Sequence, residues 1–171
     1  YAMLMPMDLS GFDLSSLRYL SNTAAALPVS HIEEIRKKFP KATLYSMYGL
    51  TETKRTLFLP PAELDRRPGS VGIPIPGTEA WVEDESGQRM GPGEVGELVV
   101  RGRHVMRGYW EAPEPTAKRY RTAQVPGERF CYTGDLFRLD EEGFFYFVGR
   151  KDDIIKSRGE KVAPKEVESI L

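Results

Sequence analysis

The first third of the chain shows two hydrophobic periodicities in succession. From Pro28 to Phe39 apolar residues recur at helical spacing while charged residues fill the opposite face, which predicts an amphipathic surface helix. From Ala42 to Tyr48 apolar and polar residues alternate, which predicts a strand that runs into a glycine. We therefore interpret residues 1–61 as the end of an α/β subdomain.

The pattern changes after residue 61, where prolines and glycines separate short apolar runs. Runs at 79–84 and 96–101 predict strands, and Ser86-Gly87 and Glu142-Gly143 predict the tight turns of two hairpins. We interpret residues 62–148 as a β-rich subdomain in the form of a distorted barrel, and residues 149–171 as a junction and the start of a further domain. The predicted fold class is α/β followed by a β-rich subdomain, mixed α+β overall.

Three local expectations complete this pattern. Thr116 is predicted to cap a short helix that continues to Tyr120. Residues Pro164 to Leu171 are predicted to form a terminal helix. The large aromatic residues Trp81 and Trp110 are expected in the core.

Composition narrows the classes of partner. The net charge of −1 and the sequence pI near 6.2 give no broad positive field, so neither nucleic acid nor an anionic membrane surface is expected as a partner. Cys131 is the lone cysteine, which excludes an internal disulfide and suits the reducing cytoplasm. No run approaches the roughly 20 apolar residues that span a bilayer, so no membrane span or export signal is predicted.

The segment Tyr48-Gly49-Leu50-Thr51-Glu52 stands where the predicted strand ends in a loop, the position from which α/β proteins contact ligands. Mg²⁺ is commonly held by one or two carboxylates together with substrate phosphates, so Glu52 beside the Thr51 hydroxyl is chemically sufficient for a metal site. Gly49 would let the backbone approach a nucleotide. An ordinary Thr-Glu loop with a packed tyrosine explains the same residues, and the pattern alone leaves both interpretations open.

Two later segments carry candidate nucleotide contacts. In Tyr132-Thr133-Gly134-Asp135 the two oxygens of Asp135 match adjacent ribose hydroxyls, although glycine and aspartate are also frequent in plain turns. In Gly149-Arg150-Lys151-Asp152-Asp153 the guanidinium of Arg150 suits ribose or phosphate oxygens, although alternating charges are typical of a solvated connector. The segment from Lys156 to Lys161 has the composition of a mobile basic loop.

Five segments resemble, in order and spacing, the core motifs of the adenylate-forming superfamily. They are Tyr48-Gly49-Leu50-Thr51-Glu52, Gly96-Glu97-Leu98, Gly108-Tyr109-Trp110, Tyr132-Thr133-Gly134-Asp135 and Gly149-Arg150-Lys151-Asp152-Asp153. This superfamily includes acyl-CoA synthetases, peptide-synthetase adenylation domains and firefly-type luciferases. The resemblance extends from about Leu17 to Leu171, and the chain looks most like an acyl-CoA synthetase.

The resemblance implies a nucleotide-binding role for each matching residue. Thr51 would contact phosphate and Glu52 would hold Mg²⁺ near the α-phosphate, which makes these two the expected catalytic residues. The expected cofactor-binding residues are Thr23, Ala24 and Ala25, which line the adenine, Tyr48, which stacks on it, Gly49 beside it, and Asp135 and Arg150, which hold the ribose.

The resemblance also implies a movement between two half-reactions. Asp152 matches the hinge about which a small C-terminal domain swings. Gly159 and Lys161 match the mobile loop that this movement brings to the active site.

By the same resemblance the chain is expected to be part of an AMP-forming acid:thiol ligase. Such an enzyme uses ATP and Mg²⁺ to convert a carboxylic acid to an acyl-adenylate, and passes the acyl group to CoA or to the phosphopantetheine of a carrier protein. The family's phosphate loop and catalytic lysine match nothing in these 171 residues, so the piece alone is expected to be inactive. An amino-acid adenylation domain that loads a carrier protein and a non-catalytic interaction module are the alternatives.

Overall fold

The computed structural model describes residues 3–23, 27–123, 125–153, 155–157 and 160–162. The expected terminal helix from Pro164, together with Ala24, Ala25 and Gly159, lies outside the described residues. Within them the helices and strands follow in the order β1 Tyr19–Asn22, α1 Val29–Lys38, β2 Thr43–Tyr48, β3 Leu57–Phe58, β4 Ile73–Pro74, β5 Thr78–Glu83, β6 Gly96–Gly102, α2 Pro113–Arg119, β7 Tyr120–Thr122, β8 Arg129–Leu139, β9 Phe145–Arg150, β10 Ile155–Ser157 and β11 Glu160–Val162.

Helix α1 lies where the apolar periodicity predicts it. Ile32 and Ile35 are buried on its inner face and share one apolar cluster with Leu44 of β2. Three basic residues occupy its last turn, where positive charge interacts favourably with the helix dipole. Neither this helix nor any other in the described part of the chain is long and apolar enough to cross a membrane.

The first sheet has the strand order β1-β2-β3-β4. Strands β1 and β2 are parallel, with Tyr19 opposite Thr43, and the short strands β3 and β4 continue the sheet in antiparallel fashion. The strand predicted at 42–48 is therefore confirmed as β2. Because β1 and β2 are parallel, the chain leaves both at the same edge of the sheet, the edge at which α/β folds bind ligands.

The second sheet is antiparallel, with the order β5-β6-β8-β7 and with β9 also paired to β8. Both predicted hairpin turns, at Ser86-Gly87 and Glu142-Gly143, are confirmed. The residues of this sheet that form its buried apolar core include Val82, Leu98, Val100, Cys131 and Phe137.

The two sheets are joined along the segment that follows β3. Gly72 pairs with Phe145 in an antiparallel bridge, and the N–H of Val71 donates to the carbonyl oxygen of Phe145 at 3.0 Å. Leu57 and Val71 consequently share a buried cluster with Phe137. The predicted fold class, α/β followed by a β-rich part, is confirmed. The predicted domain boundaries stay a prediction, and β4, which lies within 62–148, pairs with β3 of the preceding segment.

Two local predictions are wrong. Helix α2 spans Pro113–Arg119, so Thr116 lies inside it, and its hydroxyl donates to the carbonyl oxygen of Ala112 at 2.7 Å instead of capping the helix. Proline suits the first turn because its φ angle is already helical, which moves the start upstream. Trp110 is 89% exposed in the described chain, because its neighbour Tyr109 is the ring that packs against the core.

Candidate functional site

A buried carboxylate lies between the two sheets. Asp135 is in β8, its side chain is 3% exposed, and it stands opposite Arg150 of β9. Nη1 of Arg150 donates to Oδ1 at 2.7 Å, and the phenol of Tyr48, at the end of β2, donates to Oδ2 at 2.6 Å. The fold thus brings together three of the predicted site residues from distant segments.

The surroundings of Asp135 fix its orientation. Burial raises the pKa of its carboxyl above the ordinary value, and hydrogen bonds from Tyr48 and Arg150 offset part of this rise. Burial and the nearby carboxylate raise the pKa of Tyr48, so its phenol stays a hydrogen-bond donor. The Tyr48 ring packs edge-on against Phe137 with 4.9 Å between the ring centroids. The site therefore presents an acceptor whose geometry is set before a ligand binds.

The turn after β2 closes tightly on itself. The N–H of Thr56 donates to the carbonyl oxygen of Tyr48 at 2.9 Å, and the buried hydroxyls of Thr53 and Thr56 lie 2.7 Å apart. A Cβ atom on Gly49 would stand 1.6 Å from the carbonyl oxygen of Lys54, so a side chain does not fit there. This contact explains Gly49 by packing alone, and the approach of its backbone to a nucleotide stays a prediction.

Thr51 and Glu52 lie on the outer part of this turn. Thr51 is exposed and Glu52 is half-buried. The N–H of Met106 donates to the backbone oxygen of Glu52 at 2.9 Å, and the phenol of Tyr109 donates to the carboxylate oxygen Oε1 of Glu52. The loop before α2 therefore holds both the backbone and the side chain of Glu52.

The donors at this turn fit a cation that is shared with a ligand. No group of three or more His, Cys, Asp or Glu side chains converges anywhere in the described residues, so a metal cage built by protein alone is absent from them. A half-buried carboxylate beside an exposed hydroxyl suits Mg²⁺, which takes one or two carboxylates plus phosphate oxygens and keeps several waters. Glu52 is chemically adequate for this ion, and its metal role stays a prediction.

Other predicted residues lie farther along the chain. Thr23 is exposed and follows β1 at the sheet edge where the turn carrying Glu52 follows β2. Asp152 is exposed just after β9. Lys161 lies in β11, which pairs with β10, so the segment expected as a loop contains two short strands. The roles of these residues stay predictions.

Sequence reasoning missed three residues of the site. Tyr109 holds Glu52, and Glu97 accepts the N–H of Gly134 at 2.9 Å and Nζ of Lys151 at 2.7 Å. Arg119, at the end of α2, donates to the carbonyl oxygen of Tyr132 and lies beside Gly134 of β8. Tyr109 and Glu97 stand inside motifs that carry the family resemblance, which is the one signal that could have identified them. Basic residues are common at the C-terminal ends of helices, so no signal in the sequence distinguished Arg119 as a site residue.

Known proteins resemble this chain in sequence. Residues 1–110 match the family model described as AMP-binding enzyme. The chain is 40% identical over 168 residues to the long-chain-fatty-acid–CoA ligase of Bacillus subtilis (strain 168), and the match covers 96% of this chain and 28% of that protein.

Solved structures resemble it in fold. The o-succinylbenzoate coenzyme A synthetase of Bacillus subtilis, in complex with ATP and magnesium ion, matches with a TM-score of 0.82 and 31% identity over 99% of this chain and 33% of its own. VinN in complex with L-aspartate matches with a TM-score of 0.66 and 46% identity over 78% of this chain and 32% of its own. The chain thus spans about a third or less of these proteins. With the family model matched over residues 1–110 and the fold shared, this chain belongs to the family of AMP-binding enzymes.

Proposed function

We propose that this chain is part of a longer AMP-forming acid:thiol ligase, which activates a carboxylic acid with ATP and passes the acyl group to a thiol. The chain spans 28% of the Bacillus subtilis ligase that it matches, so the complete activity would need further segments. The observation that carries the proposal is the buried carboxylate of Asp135, held by Tyr48 and Arg150. A carboxylate oriented in advance is suited to two neighbouring hydroxyls of a nucleotide.

The nucleotide would be held at its ribose by Asp135. Each carboxylate oxygen accepts one bond from the protein and has lone-pair capacity for another, so both ribose hydroxyls can donate to it. The side chain of Arg150 is 39% exposed, which keeps part of its donor fork available to ribose or phosphate oxygens. The ring of Tyr48 would stack on the adenine.

The phosphates would be held at the turn that carries Thr51 and Glu52. Mg²⁺ held there would offset charge on the phosphates while the acid attacks the α-phosphorus. Glu52 would position this ion with its carboxylate, and the exposed Thr51 hydroxyl would donate to a phosphate oxygen. In this step the bond from the acid oxygen to phosphorus forms, the bond to pyrophosphate breaks, and the product is an acyl-adenylate.

Thioester formation would follow a movement about Asp152. The residue before it, Lys151, is tied by Nζ to Glu97 at 2.7 Å and by its N–H to the carbonyl oxygen of Gly134 at 2.8 Å. Asp152 itself is exposed, so the proposed hinge directly follows an anchored residue. The basic segment beyond it, with Gly159 and Lys161, would then approach the site together with the thiol of CoA or of a carrier protein.

The acid is proposed to be a long-chain fatty acid, after the ligase that is 40% identical to this chain. An amino acid is the second candidate, because VinN, which is 46% identical, was solved with L-aspartate. We place the enzyme in the cytoplasm, since Cys131, the one cysteine of these 171 residues, is a free buried thiol.

ATP–pyrophosphate exchange on the full-length protein that contains this chain tests the proposal. A long-chain fatty acid should support exchange and L-aspartate should not; the reverse result would select the amino-acid class. Glu52→Gln should lower the exchange rate by about 100-fold, because it removes the charge that positions the ion. Glu79→Gln is the matched control, because it makes the same substitution at an exposed glutamate of β5, outside the turn that carries Glu52. If no acid supports exchange by the unaltered protein, the proposed activity is wrong.

A further inference from the structure

The loop before α2 is built to present the Tyr109 phenol to Glu52. The N–H of Tyr109 donates to Oγ1 of Thr116 at 2.9 Å, and that hydroxyl donates in turn to the carbonyl oxygen of Ala112. Gly108 has a φ of 147°, and a Cβ atom on it would stand 2.6 Å from Cγ2 of Thr116. The backbone on both sides of the tyrosine is therefore constrained, and its hydroxyl reaches Oε1 of Glu52 across 57 residues of sequence.

The phenol of Tyr109 is a hydrogen-bond donor to a carboxylate. Its O–H donates to Oε1 of Glu52. A hydrogen bond to a charged acceptor is about twice as strong as one between neutral groups.

We infer that Tyr109 is the positioning residue of the carboxylate that binds the metal. This inference rests on the proposed function, because it assumes that Glu52 binds Mg²⁺. A glutamate on a turn has several rotamers of similar energy. The phenol selects one of them by occupying Oε1, which would leave Oε2 available to the ion.

Groups that orient a metal ligand without touching the ion contribute strongly to metal affinity, since their loss typically lowers it by about 10–100-fold. The effect of losing the Tyr109 hydroxyl should therefore appear only when the metal is present. The informative quantity is the ratio of the ATP affinities measured with saturating Mg²⁺ and with EDTA. A purely structural role of Tyr109 would lower both affinities together and leave this ratio unchanged.

The experiment measures this ratio by calorimetry on the full-length protein and its Tyr109→Phe variant. We expect the ratio to fall by about tenfold, while the affinity for AMP in EDTA stays the same. In a Glu52→Gln background Tyr109→Phe should change the ratio no further, because both residues act through one carboxylate.

Tyr120→Phe is the matched control. The centroids of the Tyr120 and Tyr109 rings are 6.1 Å apart, and Tyr120 is a buried core residue. The hydroxyl of Tyr120 has no hydrogen-bond partner in the described residues. Its removal should leave the ratio unchanged. A Tyr109→Phe protein that keeps the ratio of the unaltered protein, or that loses affinity equally with and without Mg²⁺, overturns the inference. An unaltered protein that binds ATP no more tightly with Mg²⁺ instead refutes the metal role of Glu52.

Discussion

The two carboxylates of the site are held in different ways. Asp135 is 3% exposed, lies within an eleven-residue strand that pairs on both sides, and accepts bonds from Tyr48 and Arg150. Glu52 is half-buried, lies on a turn, and accepts a side-chain bond from Tyr109. One carboxylate is thus fixed by a sheet and two donors, the other by a turn and one donor.

This difference matches what each group would bind. Ribose hydroxyls sit at a fixed separation, so a rigid acceptor gains affinity by being oriented in advance. Mg²⁺ keeps several waters and shares its ligands with the phosphates, so its protein ligand must leave room and one free oxygen. The ribose end of the site is therefore expected to depend on individual hydrogen bonds, and the metal end on the shape of the turn.

Asp135→Asn should produce the largest effect at the ribose end. The amide keeps the size but removes the charge, and one of its two polar atoms becomes a donor facing Tyr48 or Arg150. Hydrogen bonds to charged groups are worth about 1.5–3 kcal/mol each, so the loss at two hydroxyls should weaken AMP binding by about 100-fold. Calorimetry with AMP in EDTA measures this without involving the metal.

Asp140→Asn is the control for this change. Asp140 follows the same strand and accepts bonds from Phe144, Glu142 and Arg67, so its substitution should lower the free energy of unfolding. It should leave AMP affinity unchanged. An equal loss of AMP affinity in both variants would mean that instability, and not a lost ribose contact, causes the effect.

Gly49→Ala should produce the next largest effect, and at the metal end. The added Cβ would collide with the carbonyl oxygen of Lys54, so the turn must open, at a cost of about 1–3 kcal/mol in the free energy of unfolding. Glu52 moves with the turn, so the ratio of ATP affinities with and without Mg²⁺ should fall by about tenfold. Gly69→Ala is the matched control, because a Cβ there meets no atom within 4 Å. A stable Gly49→Ala protein with an unchanged ratio would contradict the dependence on turn shape.

The sequence predicted those parts of the fold that depend on local periodicity. Helix α1 and strand β2 follow from spacing within about ten residues, as do the two hairpin turns. The bridge between Gly72 and Phe145 was not predictable, because no local pattern encodes a pairing across that distance. The start of α2 was misplaced because threonine is a frequent N-cap residue, whereas the prolines of the first turn begin the helix here.

The site was predictable residue by residue and not as a set of contacts. Tyr48, Asp135 and Arg150 were each identified from motifs, yet the bond from Tyr48 to Asp135 spans 87 residues and has no signature in the sequence. Tyr109 lies within a motif that predicts no role for it, because only the fold shows which carboxylate its phenol contacts. Trp110 was expected in the core on size alone, whereas the direction of its neighbour decides which ring is buried.

Tyr48→Phe should have the smallest effect and should depend on pH. The ring and its contact with Phe137 remain, but Asp135 loses a hydrogen bond that holds its pKa down against burial, so this already raised pKa rises further. A carboxyl accepts both ribose hydroxyls only when ionised, so AMP affinity declines as the pH falls through the pKa of Asp135. In the variant this decline should begin at a higher pH, while at pH 8 the loss should be only about threefold.

Ionisation of an acid with a raised pKa also destabilises the fold as the pH rises through that pKa, so the Tyr48→Phe variant should lose more stability between acid and neutral pH. Calorimetric titrations with AMP across this range, with Tyr45→Phe on the same strand as control, measure the shift. Identical pH profiles for the two variants would mean that the Tyr48 phenol does not set the charge of Asp135.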